Sequence, residues 1–186
     1  SMTEEQVDVG LRHGNLAIAR VRPYLDLPPA ELDGLTVLVD TSASRMLGFD
    51  GHLDRVEAVM EAVAGQSGNI PIQVLAFDQT VSPIYRGSID GYSAASAAIE
   101  QRDALGASDL SSTFEALAGL SPHDRVLLVT DGIFTAGDTE ADDLHAALKA
   151  LDIERLDVLV DGGIRDEDAL HALVTAGLPQ AGLVLE

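Results

Sequence analysis

Five short runs of nearly unbroken aliphatic character, at residues 36–39, 70–76, 125–129, 156–160 and 182–185, constrain this chain more than any other feature of its sequence. A strand that alternates apolar and polar residues buries one face. A strand that is apolar throughout has to be covered on both, as in the parallel sheet of an α/β protein. Between the runs the period changes. Leu53, Val56, Val59, Met60 and Val63 recur at helical steps, as do Leu144, Ala147, Leu148 and Leu151, and then Leu170, Leu173 and Val174. Each set makes the apolar stripe of a helix lying on a sheet. Strands alternating with helices build right-handed βαβ units. The expected architecture is a three-layer, doubly wound (Rossmann-like) α/β fold, with helices on both faces of a mostly parallel sheet of about six strands.

Two segments depart from this pattern. Residues 80–85, after Phe77-Asp78-Gln79, read as a strand interrupted by Pro83. Proline cannot donate to a central ladder, so a short antiparallel edge strand is expected there. Upstream, residues 6–12 and 15–24 flank His13-Gly14 and alternate enough for a β-hairpin, and Pro28-Pro29 reads as a linker. Residues 1–30 are therefore expected to form an N-terminal extension, a hairpin or the tail of an upstream domain, and residues 31–186 the α/β domain. Acidic groups mark helix starts: Asp138, Glu140, Asp142 and Asp143 before one helix, and Asp166, Glu167 and Asp168 before another. Carboxylates there cap open amides and oppose the positive end of the helix dipole. With 46% hydrophobic residues but only 4% aromatic and no Trp, the core has to be aliphatic.

The charge balance narrows the choice of partner. Thirty-one acidic residues against 11 basic give a formal charge of -20, which repels phosphate backbones and anionic lipid surfaces, so nucleic acid is not an expected partner. Most of this acidity is the ordinary solvated surface of an acidic protein; the sharper reading is that a cation is wanted somewhere. The absence of Cys excludes disulfides, thiolate zinc sites and a Cys nucleophile. The compartment stays open, with the cytosol the nearer expectation. No apolar run approaches ~18 residues and the start, SMTEEQ, is polar, so neither membrane insertion nor a signal peptide is expected.

In an open parallel sheet, ligands sit beyond the carboxyl ends of the strands, where the strand order reverses. The first core strand is followed by Asp40-Thr41-Ser42-Ala43-Ser44, and the strand at 125–129 by Thr130-Asp131-Gly132. A short helix is preceded by Gly106-Ala107-Ser108-Asp109-Leu110. Together Asp40, Ser42, Ser44, Ser108 and Asp131 bring two carboxylates and three hydroxyls to one rim. A hard divalent cation wants oxygen ligands and usually relies on only one or two carboxylates. Two Asp leave a +2 ion roughly neutral, and hydroxyl ligands keep it electrophilic enough to accept an anionic ligand at an open position.

The run Asp40-Thr41-Ser42-Ala43-Ser44 resembles the DxSxS signature of the metal-ion-dependent adhesion site (MIDAS) in von Willebrand factor type A (vWA) domains. Thr130-Asp131-Gly132 looks like that family's later Asp, Gly106-Ala107-Ser108 is similar to its Gly-Gly-Thr loop, and the likeness runs from about Leu35 to the C-terminus in motif order and spacing. The resemblance implies a vWA-like fold binding Mg²⁺ (or Mn²⁺ or Ca²⁺). Ser42 and Ser44 would touch the metal directly, Asp40 and Asp131 directly or through water, and Ser108 once a ligand is engaged. It further implies a protein partner that offers an Asp or Glu side chain, and no catalysis. Three features depart from the pattern. Ser108 replaces the commoner Thr and frees the rotamer, Ala107 stands where a second Gly is common, and the sequence ends at Glu186 after the last strand. The C-terminal helix that moves in the adhesion members is absent or lies beyond these residues, and a piston-like switch is not assumed. Residues 11–19 are similar to the tail of an inter-alpha-trypsin-inhibitor type domain, which precedes a vWA domain in some proteins.

Other chemistries lack their parts. No G-x-G-x-x-G or G-x-x-x-x-G-K-[ST] loop follows the first strand, and no G-x-S-x-G elbow is present. Asp40 at a strand end leaves a Mg-dependent phosphohydrolase as one alternative, although Ser42 stands where the two-aspartate phosphatase pattern has its second carboxylate. A structural vWA scaffold without a functional metal site is the other. His13, His52, His123, His145 and His171 show no ligand spacing and read as surface or half-buried residues. Phe49, Asp50 and His52 follow the DxSxS loop and are expected at the rim of the metal face.

Overall fold

The structure is a computed structural model and describes residues 10–13, 16–19, 32–45, 49–102, 106–160 and 165–185. The chain divides into two units, residues 1–30 and 31–186. In the first, β1 (Gly10–His13) and β2 (Leu16–Ala19) pair antiparallel, Gly10 opposite Ala19 and His13 opposite Leu16. His13, expected in the turn, is instead the last residue of β1. The turn itself, Pro28-Pro29 and the rest of that segment lie outside the described residues.

The second unit is built on β3 (Leu35–Asp40), β4 (Pro71–Phe77), β5 (Val81–Ser88), β6 (Arg125–Thr130), β7 (Arg155–Val160) and β8 (Val184–Leu185). They form a six-stranded sheet in the order β5-β4-β3-β6-β7-β8. All neighbours are parallel except β4 and β5. The helices are α1 (Phe49–Ser67), α2 (Tyr92–Glu100), α3 (Leu110–Ala118), α4 (Ala141–Lys149) and α5 (Glu167–Val174). No described helix is long and apolar enough to cross a membrane.

The unbroken hydrophobicity of the strands feeds two separate cores. Val37 and Val39 of β3 point to one face, where they meet Leu53, Val56 and Met60 of α1 and Ala95 and Ile99 of α2. Leu38, between them, points to the other, which Phe114 of α3, Leu148 of α4 and Leu170 of α5 cover. All three β3 residues have no exposed surface. A polar residue at either parity faces a helix layer rather than water, which is why β3, β4, β6 and β7 carry so few inside them, Thr36, Gln73 and Asp157 being the exceptions.

Local details differ from the sequence expectation for identifiable reasons. The edge strand is longer than 80–85 and antiparallel as expected; Pro83 is tolerated because β5 is outermost and the register with β4 shifts between Val74 and Leu75, where Pro83 pairs. The strand expected at 182–185 is reduced to Val184–Leu185, because the Leu183 amide is taken by Asp157 Oδ1 at 2.8 Å. Helix α2 was not foreseen, since its buried stripe of Tyr92, Ala95, Ser96 and Ile99 includes two residues too small to stand out as apolar. Among the acidic helix starts, Asp166 caps α5 through the Ala169 amide at 3.0 Å. Glu140 makes no side-chain cap, and Asp142 and Asp143 lie in the first turn of α4, where they meet the dipole.

Strand order reverses between β3 and β6: from β3 the chain moves outward to β4 and β5, and from β6 outward the opposite way. The carboxyl ends of β3 and β6 therefore flank the crevice at which open α/β sheets bind ligands. Leu38→Ala, on the central strand and fully buried, is expected to cost about 2–5 kcal/mol, read as a lower urea midpoint at unchanged slope. A loss below about 1 kcal/mol would contradict a sheet packed on both faces.

Candidate metal centre

Asp40 is the last residue of β3, and the hydrogen bonds of its carboxylate organise the crevice. Oδ1 accepts from the Ser42 amide at 2.9 Å, turning the chain sharply. Oδ2 accepts from the Ser108 hydroxyl at 3.1 Å and the Thr130 hydroxyl at 2.7 Å. The Ser42 and Ser44 hydroxyl oxygens lie 3.1 Å apart. Thr41 donates to Phe77 O from both its amide, at 2.8 Å, and its hydroxyl, at 3.0 Å, which ties the loop to the end of β4. The Ala43 amide donates to Gly106 O at 3.0 Å and joins the first loop to the second.

Ser108 is fixed by the third loop. Its carbonyl accepts from the Thr135 and Ala136 amides, at 3.0 and 3.1 Å, and its own amide donates to Thr135 Oγ1 at 3.2 Å. The next residue, Asp109, caps α3 through the Ser112 amide at 3.0 Å. On β6, Val129 pairs with Val39, so the next residue on each strand, Thr130 and Asp40, stand abreast. The Thr130 hydroxyl also accepts from the Gly132 amide at 3.1 Å, and Asp131 Oδ1 accepts from the Ile133 amide at 2.9 Å. Gly132 has φ +82°, and a Cβ there would come within 2.7 Å of Leu170. Only glycine fits that turn.

Asp40, Ser42, Ser108 and Asp131 are all 0–2% exposed, while Ser44 is exposed. The crevice thus opens on the Ser44 side. Burial pushes the Asp40 carboxyl above its ordinary pKa and the nearby Asp131 charge adds to the effect, while hydrogen bonds from Ser42 and Thr130 oppose it. Asp40 and Asp131 thus set two carboxylates near each other with almost no exposed surface. Among the described residues no group of three or more His, Asp or Glu side chains is placed to hold a metal. The donor set offered here is instead two carboxylates with neighbouring hydroxyls, hard oxygens throughout, which suits an ion that keeps part of its water shell.

Four of the five residues singled out in the sequence, Asp40, Ser42, Ser44 and Ser108, are thus joined by direct hydrogen bonds, and Asp131 adjoins them electrostatically. Thr130 and Thr135 had no assigned role in the sequence. The signal for Thr130 was a hydroxyl ending an otherwise apolar strand directly before Asp131. His52 on α1 is buried rather than at the surface. The Phe49 and Asp50 side chains lie outside the described residues.

The sequence matches no protein-family model and no curated protein. Its domain nevertheless has the von Willebrand factor type A fold. The VWA domain of SpRpn10 superimposes with a TM-score of 0.63 at 13% identity, over 83% of this chain and 87% of that one. Manganese-loaded TRAP protein of Plasmodium vivax gives 0.60 at 15% identity, over 84% of this chain and 69% of that one. Proximal thread matrix protein 1 from the mussel byssus, with a zinc-occupied MIDAS motif, gives 0.60 at 14% identity, over 84% of this chain and 42% of that one. At such identities the likeness is one of fold.

Thr130→Val removes a donor from Asp40 Oδ2 and the acceptor of the Gly132 amide. It is expected to lower stability by about 1–3 kcal/mol in denaturant unfolding, with Thr130→Ser recovering most of the loss. Equal stability of Thr130→Val and wild type would show that these bonds do not hold the crevice.

Proposed function

We propose that residues 31–186 are a divalent-cation-dependent protein-binding module, with residues 1–30 a separate N-terminal extension. Asp40, Ser42, Ser44, Ser108 and Asp131 line the cation pocket, and an Asp or Glu side chain of a partner protein completes it. The observation that carries this reading is the carboxylate of Asp40 at the switch point of the sheet, gathering a hydroxyl from the second loop and one from the end of β6 while a second carboxylate stands beside it. A metal-loaded TRAP protein and a metal-occupied MIDAS motif among proteins of the same fold support it.

When bound, a Mg²⁺, Mn²⁺ or Ca²⁺ ion would supply an electrophilic site for a carboxylate oxygen. The remaining work belongs to this chain. Asp40 and Asp131 supply the balancing negative charge, Ser42 and Ser44 supply neutral oxygens at the exposed side, and Thr130 and Thr135 hold Asp40 and Ser108 in place. Both oxygens of Asp40 already accept hydrogen bonds and the side chain has no exposed surface. That supports binding over a phosphohydrolase, whose nucleophile needs an open approach to phosphorus.

Thermal unfolding with added Mg²⁺ tests the proposal. At a concentration about 100-fold above Kd the wild type should gain roughly 2.7 kcal/mol, or about 5–10 °C in Tm, by mass action. Asp40→Ala and Ser42→Ala should gain nothing. Equal response in all three proteins, or none in the wild type, would leave a scaffold without a working site. Turnover of a phosphate ester that disappears in Asp40→Asn would replace the binding reading with an enzymatic one.

A further inference from the structure

At the opposite end of the sheet from Asp40, where β3, β4 and β6 begin and β5 ends, Asn69, Arg86, Ser88 and His123 line a cavity of about 340 Å³ together with Ile70 and Ile72. Its volume is at the lower end of the range for small-ligand sites. Two of its side chains are basic, in a chain with 11 Lys and Arg against 31 Asp and Glu.

Arg86 has no hydrogen bond or ion pair among the described residues, although carboxylates outnumber cations almost threefold. Instead it faces His123. Burial, and then the positive charge of Arg86, hold the His123 pKa below its ordinary value, and Asp124 is the carboxylate that opposes them. Neither ring nitrogen of His123 has a hydrogen-bond partner among the described residues. Ser88 donates its hydroxyl to Asn69 Oδ1, which fixes that oxygen as the acceptor and leaves the Asn69 amide nitrogen as an unused donor.

These groups are held in place. Thr36, Gln73 and Arg86 stand in register across β3, β4 and β5 and so share one sheet face. Thr36 Oγ1 accepts from the His123 amide at 2.9 Å. A Cβ on Gly34 would lie 2.3 Å from His123 Nδ1, so glycine there makes room for the imidazole. Tyr85 donates its hydroxyl to Ser88 O at 2.9 Å, pinning the end of β5. Gln73, 4% exposed, keeps a side-chain oxygen without a partner among the described residues.

We propose that this cavity binds a small oxyanion, phosphate or carboxylate, between Arg86 and His123, with the Asn69 amide as a third donor. An unpaired guanidinium, an imidazole and an amide converging on one hollow offer the charge-assisted hydrogen bonds that oxyanions take. An oxyanion between them would take the charge of the Arg86 guanidinium and one ring N–H of His123. The site is independent of the cation pocket, because the two lie at opposite ends of the same strands.

Histidine-ring NMR on the whole chain tests this, with sodium phosphate, sodium acetate and sodium chloride added at constant ionic strength. The His123 signal should shift saturably in the millimolar range with phosphate, acetate or both, and not with chloride, while the signals of His145 and His171 stay put. Saturation by phosphate alone assigns a phosphoryl site, by acetate alone a carboxylate site, and by both a general oxyanion site. Arg86→Gln, at an exposed edge-strand position, should weaken binding about tenfold, and Asp40→Ala should leave it unchanged. Shifts no larger than with chloride, or an Arg86→Gln variant that binds as tightly as wild type, would overturn the proposal.

Discussion

Asp40 places a carboxylate with no exposed surface at the end of a strand covered on both faces. Burying such a group is unfavourable unless hydrogen bonds and charge answer it. The local architecture is that answer: a turn back onto its own oxygen by Ser42, a hydroxyl from the second loop through Ser108, and one from the neighbouring strand through Thr130. Three loops far apart in sequence are brought to one point by a side chain that none of them can leave unsatisfied.

This dependence explains why the loops are bound to one another as well as to Asp40. Thr41 is tied to Phe77, Ala43 to Gly106, and Ser108 to Thr135 and Ala136. Each bond removes a way for the crevice to relax and separate the two carboxylates. The other end of the sheet shows the converse arrangement, with Arg86 set against His123 in a chain that is otherwise strongly acidic.

The fold was legible because burial on both faces leaves a mark in the residues themselves. Val37, Leu38 and Val39 could not be polar at any position, so β3 appears in the sequence as a solid run, and so do β4, β6 and β7. Helix α2 was not legible, because Ala95 and Ser96 make up half of its buried stripe and such small residues carry little periodic signal. The end of the last strand was overestimated because Gly182 and Leu183 look like its continuation. The Leu183 amide is instead captured by Asp157, a long-range contact that local pattern does not encode.

What the sequence determined by itself was the runs that make the sheet, most of its helices, and the positions of Asp40, Ser42, Ser44 and Asp131 at or just after strand ends and of Ser108 before a helix, since hydrophobic period and chain order are one-dimensional facts. What only the tertiary structure decided was which hydroxyl meets which oxygen. Thr130 reaches Asp40 across 90 positions, and Thr36 holds His123 across 87. Both contacts exist because β3 and β6 lie side by side, and that adjacency comes from packing the whole sheet between its two cores rather than from any neighbourhood along the chain.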